Sequence, residues 1–316
     1  MVSYSATPEQ WTEWLRVPLE HAAARGNLDL FNKLLRAGAN GRADKDTLNN
    51  GGETPLMWAA YAGRLSIVTT LLDAGADESI RSADGDSALD CAAMEGYGDV
   101  IKAIVGHGAD VDASDDDGFT ALHTAATYDR ADAVNALVEA GADVELNNSH
   151  GGTPLIIAAF NSNGKAMLAL LQHGAKVEVR GDSGDTPLHE ACLGCVEGLA
   201  AAVDLLLRWG ADETALNNDG ESPVELLDVE NVEEDIDNPA TQDEIDRARL
   251  LLARAPVDRA WRRRGWLVML RSRAEKERVG KSSSVGHGNG GVGGGCVLPL
   301  LGLRLDGVFR TVVGFL

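Results

Sequence analysis

In the stretch DTPLHEACLGC, residues 185 to 195, His189 and Glu190 stand beside Cys192 and Cys195 in a C-x-x-C spacing. Imidazole and thiolate are zinc ligands, and a C-x-x-C pair is also the arrangement of a redox dithiol. A structural zinc needs four ligands, and the chain has no second C-x-x-C and no H-x-x-H to complete the set. The redox reading needs a βαβ context, which the surrounding pattern lacks. Gly286-x-Gly288-x-x-Gly291 has the spacing of a dinucleotide fingerprint, but it follows Lys-Ser-Ser-Ser rather than a strand. Eight of the sixteen residues 280–295 are glycine, so the segment reads as a flexible linker. Asp115, Asp116 and Asp117 lack the alternating ligands of a calcium loop and read as a solvated turn before Gly118. The acidic residues Glu233, Glu234, Asp235 and Asp237 read as a loop ending at Pro239, with Thr241 and Glu244 as the capping box of a following helix. There is no P-loop, no H-E-x-x-H and no grouped Ser/His/Asp set. No residue is therefore assigned a catalytic, cofactor-binding or metal-ligating role, and a non-enzymatic protein is expected.

Composition narrows the field of partners. The 316 residues are 44% apolar and 24% charged with only 5% aromatic side chains, a globular balance that favours close packing of small-residue helices. The net charge of −21 is divided into −28 over residues 1–255 and +7 over residues 256–316. An acidic body repels a phosphate backbone, so nucleic acid is not an expected partner. Four cysteines and a start, MVSYSATPEQWTEW, without the basic and apolar regions of an export signal point to the cytoplasm, with the nucleus also open.

The tempting DTPLHEACLGC stretch belongs to a period. Its Thr186-Pro187-Leu188 recurs as Thr54-Pro55-Leu56 and Thr153-Pro154-Leu155, with variants Ser87-Ala88-Leu89, Thr120-Ala121-Leu122 and Ser222-Pro223-Val224. Successive triplets are 33, 33, 33, 33 and 36 residues apart. Gly-Ala pairs beginning at 38, 75, 108, 141, 174 and 210 keep the same step. With a half-match at Pro18-Leu19, seven units begin near 18, 55, 88, 121, 154, 187 and 223.

Each unit reads as two short helices and a turn. The Thr or Ser hydroxyl caps the first free amides, and proline at the next position gives up no hydrogen bond. Leu56, Ala59 and Ala60, then Val68, Leu71 and Leu72, mark two amphipathic helices separated by Gly63. Gly75 is placed to end the second helix, and a polar run leads to the next unit. Alanine pairs at 22/23, 59/60, 92/93, 125/126 and 158/159 let helices approach closely, so each unit's apolar face needs neighbours to cover it.

Residues 18–255 resemble the ankyrin repeat family. The resemblance implies an all-α solenoid of stacked helix pairs with protruding turns, and helical capping segments are expected at both ends. It also implies that His189 is a structural histidine bonding between repeat loops and that Cys192 fills the second alanine-pair position, with Glu190 a variable helix position. Family histidines fall at His123 and His189 but are replaced by Met57, Asp90 and Ile156. The glycine between helices at 26, 63 and 96 becomes Asp129 and Ser162, so altered inter-helix turns are expected there. Three extra residues enter the sixth unit near 195–202.

Five segments follow: a capping helix at 1–17, the repeats at 18–255, a basic Trp-rich helix at 256–279, the linker at 280–295 and an apolar segment with a terminal helix at 296–316. The family's usual activity is binding another protein along the concave face, as a scaffold without catalysis. By position, its contact residues are Tyr61, Arg81, Asp86, Phe119, Tyr128, His150, Phe160, Arg180 and Asp185. Exposed aromatics at Tyr61, Phe119, Tyr128 and Phe160 are candidate hot spots, with neighbouring side chains partly covering them as the alternative. The acidic turns around them favour a protein partner with a basic surface and an apolar centre. The alternative function is membrane-surface or anion association through the basic and apolar tail, with the repeats as spacer.

Overall fold

The computed structural model describes residues 18–29, 31–32, 45–194, 197–227 and 242–256. The expected N-terminal cap at 1–17, the helix at 256–279 beyond Pro256, the linker and the 296–316 segment lie outside them, as do Cys195 and Thr241. The described residues contain no strand, only an isolated bridge between Ser114 and Thr120.

Five complete helix pairs follow one another: α2 (Pro55–Tyr61) with α3 (Leu65–Asp73), α4 (Ala88–Glu95) with α5 (Gly98–Gly106), α6 (Ala121–Thr127) with α7 (Ala131–Glu139), α8 (Pro154–Phe160) with α9 (Gly164–Gln172), and α10 (Pro187–Gly194) with α11 (Leu199–Trp209). The first helix of each pair packs on the first helix of the next, and the second helices α3, α5, α7, α9 and α11 do likewise. Two further first helices extend this row, α1 (Pro18–Arg25) against α2 and α12 (Pro223–Leu226) against α10. Residues 242–256 form a longer helix.

Local chemistry sets where each helix begins. Thr54, Ser87 and Thr153 lie in extended backbone, and their hydroxyls accept from the amides of Met57 (3.2 Å), Asp90 (3.3 Å) and Ile156 (3.4 Å). In the other direction, Asp90 accepts from the Ser87 amide (2.8 Å) and Glu225 from the Ser222 amide (2.7 Å), completing capping boxes without histidine. His123 and His189 perform this task with Nδ1, which accepts from the amides of Thr120 and Thr186 at 3.2 Å. Their Nε2 atoms donate across to the next unit, to the carbonyls of Gly152 (3.0 Å) and Glu221 (3.1 Å).

The core repeats as faithfully as the caps. Ala59/Ala60, Ala92/Ala93, Ala125/Ala126, Ala158/Ala159 and Ala191/Cys192 have no accessible surface. On the second helices Ile67, Val68 and Leu71 are buried, and Ile101/Ile104, Val134/Leu137, Met167/Leu170 and Val203/Leu206 take the corresponding places. These side chains form one continuous cluster, which is how units that cannot shield themselves become stable together.

The turn between the helices is conserved in shape even where its glycine is missing. Gly63 and Gly96 have φ of 65° and 87°, and Asp129 and Ser162 adopt the same left-handed conformation at 54° and 52°. Altered turns were expected at those two positions, but the stack imposes the common geometry and the side chains bear the strain. Asp129 recovers part of it, because its Oδ1 accepts from the amides of Lys165 and Ala166 at 2.9 Å, capping α9 of the following unit. Ser162 Oγ is buried without a hydrogen bond among the described residues. The residue after three of these four turns reaches back one unit: Arg64 Nε to the Ala24 carbonyl (3.0 Å), Arg130 Nε to Met94 (2.8 Å) and Asn163 Nδ2 to Ala126 (2.8 Å). Each thereby satisfies carbonyls at the end of a first helix.

Several acidic side chains of the turns have structural partners. Asp46, Asp112, Glu145 and Glu178 accept from the amides of Asp77 (2.9 Å), Asp143 (3.1 Å), Lys176 (2.8 Å) and Asp212 (2.8 Å), each in the next unit. Asp115 folds its own turn, accepting from the amides of Asp117 (2.9 Å) and Phe119 (2.8 Å). In the sixth unit, Glu244 reaches from the 242–256 helix to the Gly198 amide (3.1 Å) just before α11.

Candidate protein-interaction face

On the first helix of each complete pair, the fourth and seventh positions lie one turn apart on the side not covered by neighbouring helices. They are occupied by Trp58 and Tyr61 on α2, Cys91 and Met94 on α4, Thr124 and Thr127 on α6, Ile157 and Phe160 on α8, and Glu190 and Leu193 on α10. Because the first helices pack in sequence, these positions form one row beside the turns.

Tyr61 and Phe160 are 47% and 42% exposed on this row, and Tyr128, the residue that ends α6, is 46% exposed beside it. Trp58 meets Tyr61 edge-on, with ring centroids 6.4 Å apart, and its buried Nε1 has no hydrogen-bond partner among the described residues. Phe119 is half-buried and packs edge-on against His123 at 5.6 Å, so it shields the inter-repeat hydrogen bond rather than standing free. His150 is exposed, with Nδ1 3.2 Å from Ser149 Oγ.

The charged candidates are engaged in shaping the turns. Arg81 and Arg180 occupy equivalent places, and Nη1 of each donates across its own turn, to Gly85 (2.6 Å) and Gly184 (2.7 Å). Arg81 also pairs with Asp90 (3.1 Å), and Arg180 donates to the Leu216 carbonyl of the next unit (2.7 Å). Asp185 is only 7% exposed, accepting from Asn217 Nδ2 (2.9 Å) and from the Ser183 hydroxyl. Its carboxylate serves the stack before any partner. Asp86 is half-buried, and desolvation followed by Asp90, Asp84 and Asp115 pushes its carboxyl above the usual range, against the pull of Arg81.

The cysteine-containing stretch has a packing role in the sixth unit. Cys192 is wholly buried in the alanine-pair position, and both His189 nitrogens are engaged in the bonds described above. Burial, with Asp86, Asp90 and Glu53 near, pushes the Cys91 thiol up to about 12, which disfavours its thiolate. Among the described residues no group of three or more His, Cys, Asp or Glu is placed to hold a metal, and no helix is long and apolar enough to cross a membrane.

Sequence reasoning passed over Trp58, Ile157 and Leu193 and took Glu190 only as a variable helix position. The available signal was spacing: each lies three residues before or after a partner in the same row, bracketing the alanine pair. Glu190 is the most consequential of the four. It is partly buried, and desolvation followed by the Asp185 charge pushes its carboxyl up to about 7.

Stacked helix pairs, interlocking turns and an open row of first-helix side chains define a helical-repeat interaction protein. A family model described as ankyrin repeats (3 copies) matches residues 19–115, 77–148 and 122–217, together more than half of the sequence, and the chain belongs to the ankyrin repeat family. The crystal structure of the ankyrin repeat domain of Bcl-3, described as a unique member of the IkappaB protein family, is similar at 30% identity, covering 74% of this chain and 98% of that one with a TM-score of 0.58. The human ASB11 ankyrin repeat domain shares the fold at 24% identity, covering 74% and 97% of the two chains with a TM-score of 0.60. No curated protein matches the sequence significantly. Ankyrin repeats generally mediate protein–protein interaction, which supports a binding role for this chain.

Proposed function

We propose that the chain is a non-enzymatic cytoplasmic scaffold that holds a protein partner along the concave face of seven ankyrin units spanning residues 18–255. The supporting observation is the row of first-helix side chains, on which Tyr61 and Phe160 are exposed aromatics, with Tyr128 exposed just past the end of α6. Large rings held on rigid helices lose little entropy on contact and commonly dominate binding energy. The acidic balance of residues 1–255, −28, favours a partner that is basic around an apolar centre.

The test compares affinity purification by the intact chain with that by a Tyr61→Ala/Tyr128→Ala/Phe160→Ala variant whose circular dichroism and melting are unchanged. At about 2 kcal/mol for each hot-spot ring, the variant weakens a direct partner by at least ~100-fold. Recovery of the same partners at the same yield would refute the assignment.

A further inference from the structure

Between the fifth and sixth units lies a cavity of about 220 Å³ on the same first-helix face, lined by Asn148, Ile156, Ile157, Phe160, Asp182 and Glu190. Small-molecule sites occupy roughly 300–1,000 Å³, so this cavity suits a single side chain better than a cofactor. One part of its wall is apolar: Ile157 and Phe160 stand one turn apart on α8. Glu190, on α10, supplies a carboxylate to the same space.

That carboxylate differs from several buried or half-buried acids of the stack that are answered. Asp185 has Asn217 and Ser183, Asp90 has Ser87 and Arg81, and Asp129 has two helix amides. No hydrogen bond or ion pair from the described residues reaches the Glu190 carboxylate, although the residue is partly buried and its neighbour Asp185 is also acidic. The nearby Arg180 is committed to the carbonyls of Gly184 and Leu216. A desolvated carboxylate without a partner is costly, and a cation seated beside it would relieve both the desolvation and the repulsion.

We propose that this cavity receives a lysine or arginine side chain of the protein partner, its aliphatic stem along Ile157 and the Phe160 ring and its cation against the Glu190 carboxylate. The assignment rests on the proposed use of the first-helix face and deepens it by naming the anchor. The Phe160 ring attracts a cation over its face, and the surplus of acidic residues steers basic surfaces toward the site. A neutral polar side chain of equal length gains none of these terms.

The full chain, with labelled isoleucine methyl groups, is titrated by NMR with N-acetyl-argininamide, N-acetyl-lysinamide and the uncharged N-acetyl-citrullinamide. Saturable shifts of the Ile157 methyl signals are expected with one or both cations, and at least about tenfold weaker binding with citrulline. Glu190→Gln, which removes the charge and keeps the shape, is expected to weaken the cations by a similar factor and to leave citrulline unchanged. The two cationic probes together decide whether lysine or arginine fits better. The proposal is overturned if neither cation shifts Ile157, if citrulline binds equally well, or if Glu190→Gln leaves the affinities unchanged. Such a result, with partner recovery still lost in the triple aromatic variant, removes this anchor and leaves the docking reading standing. Cation binding with partner recovery unaffected by that variant overturns the docking reading and, with it, the use of this cavity by a partner.

Discussion

Glu190→Gln also tests the electrostatics of the stack without any ligand. In the folded chain the carboxyl is pushed up to about 7 from an ordinary 4.5, first by desolvation and then by Asp185. A folded value above the unfolded one means that the protonated form is favoured by folding. The contribution is therefore fully present below pH 4.5, declines as pH rises through about 7, and is gone above it. The interval corresponds to at most about 3 kcal/mol, and partial exposure of the group reduces this to about 2 kcal/mol. Glutamine never ionises, but its amide inherits a partly buried place and gives back about 1 kcal/mol. The variant should thus be about 1–2 kcal/mol more stable than the parent at pH 8, a rise in Tm of about 2–6 °C for a domain of this size. At pH 4.5 the advantage should vanish or reverse. Differential scanning calorimetry on both proteins at the two pH values measures the difference directly, and Asp86, Asp90 and Glu178, whose carboxyls are also raised, titrate in both and largely cancel. A variant-minus-parent difference that is the same at pH 4.5 and pH 8 would show that Glu190 bears no such penalty.

Three further substitutions probe the repeat geometry. Ser162→Gly removes a left-handed serine and an unsatisfied buried hydroxyl, so urea denaturation should show stabilisation by about 1 kcal/mol. Asp129→Ala, at the equivalent turn, keeps the strain and discards the cap of the Lys165 and Ala166 amides, and should cost about 1–2 kcal/mol in the same assay. His189→Ala should cost about 3 kcal/mol, because it strands the buried Thr186 amide, removes the bond to the Glu221 carbonyl and leaves a void. A loss below about 1 kcal/mol would show that this inter-repeat bond contributes little.

The sequence by itself determined the repeated unit, because its instructions are local. Thr153-Pro154 starts a helix through a hydroxyl and a missing amide hydrogen, and Gly75 allows a left-handed end, whatever lies nearby. The alanine pairs announced their own burial because the same small residue recurs at each contact between neighbouring first helices. The burial of Cys192 followed from that phase as well, and the structural role of His189 was implied by the resemblance to ankyrin repeats. Tertiary structure decided what each side chain was free to do. Asp185 and Arg180 have the residue types of contact groups, yet backbone and side-chain partners 32 and 36 residues away claim them. Asp129 and Ser162 take the turn of a glycine because neighbouring units leave no other path. Glu190 differs from a solvated helix glutamate only through what the adjacent unit places over it, since desolvation and charge proximity act through space.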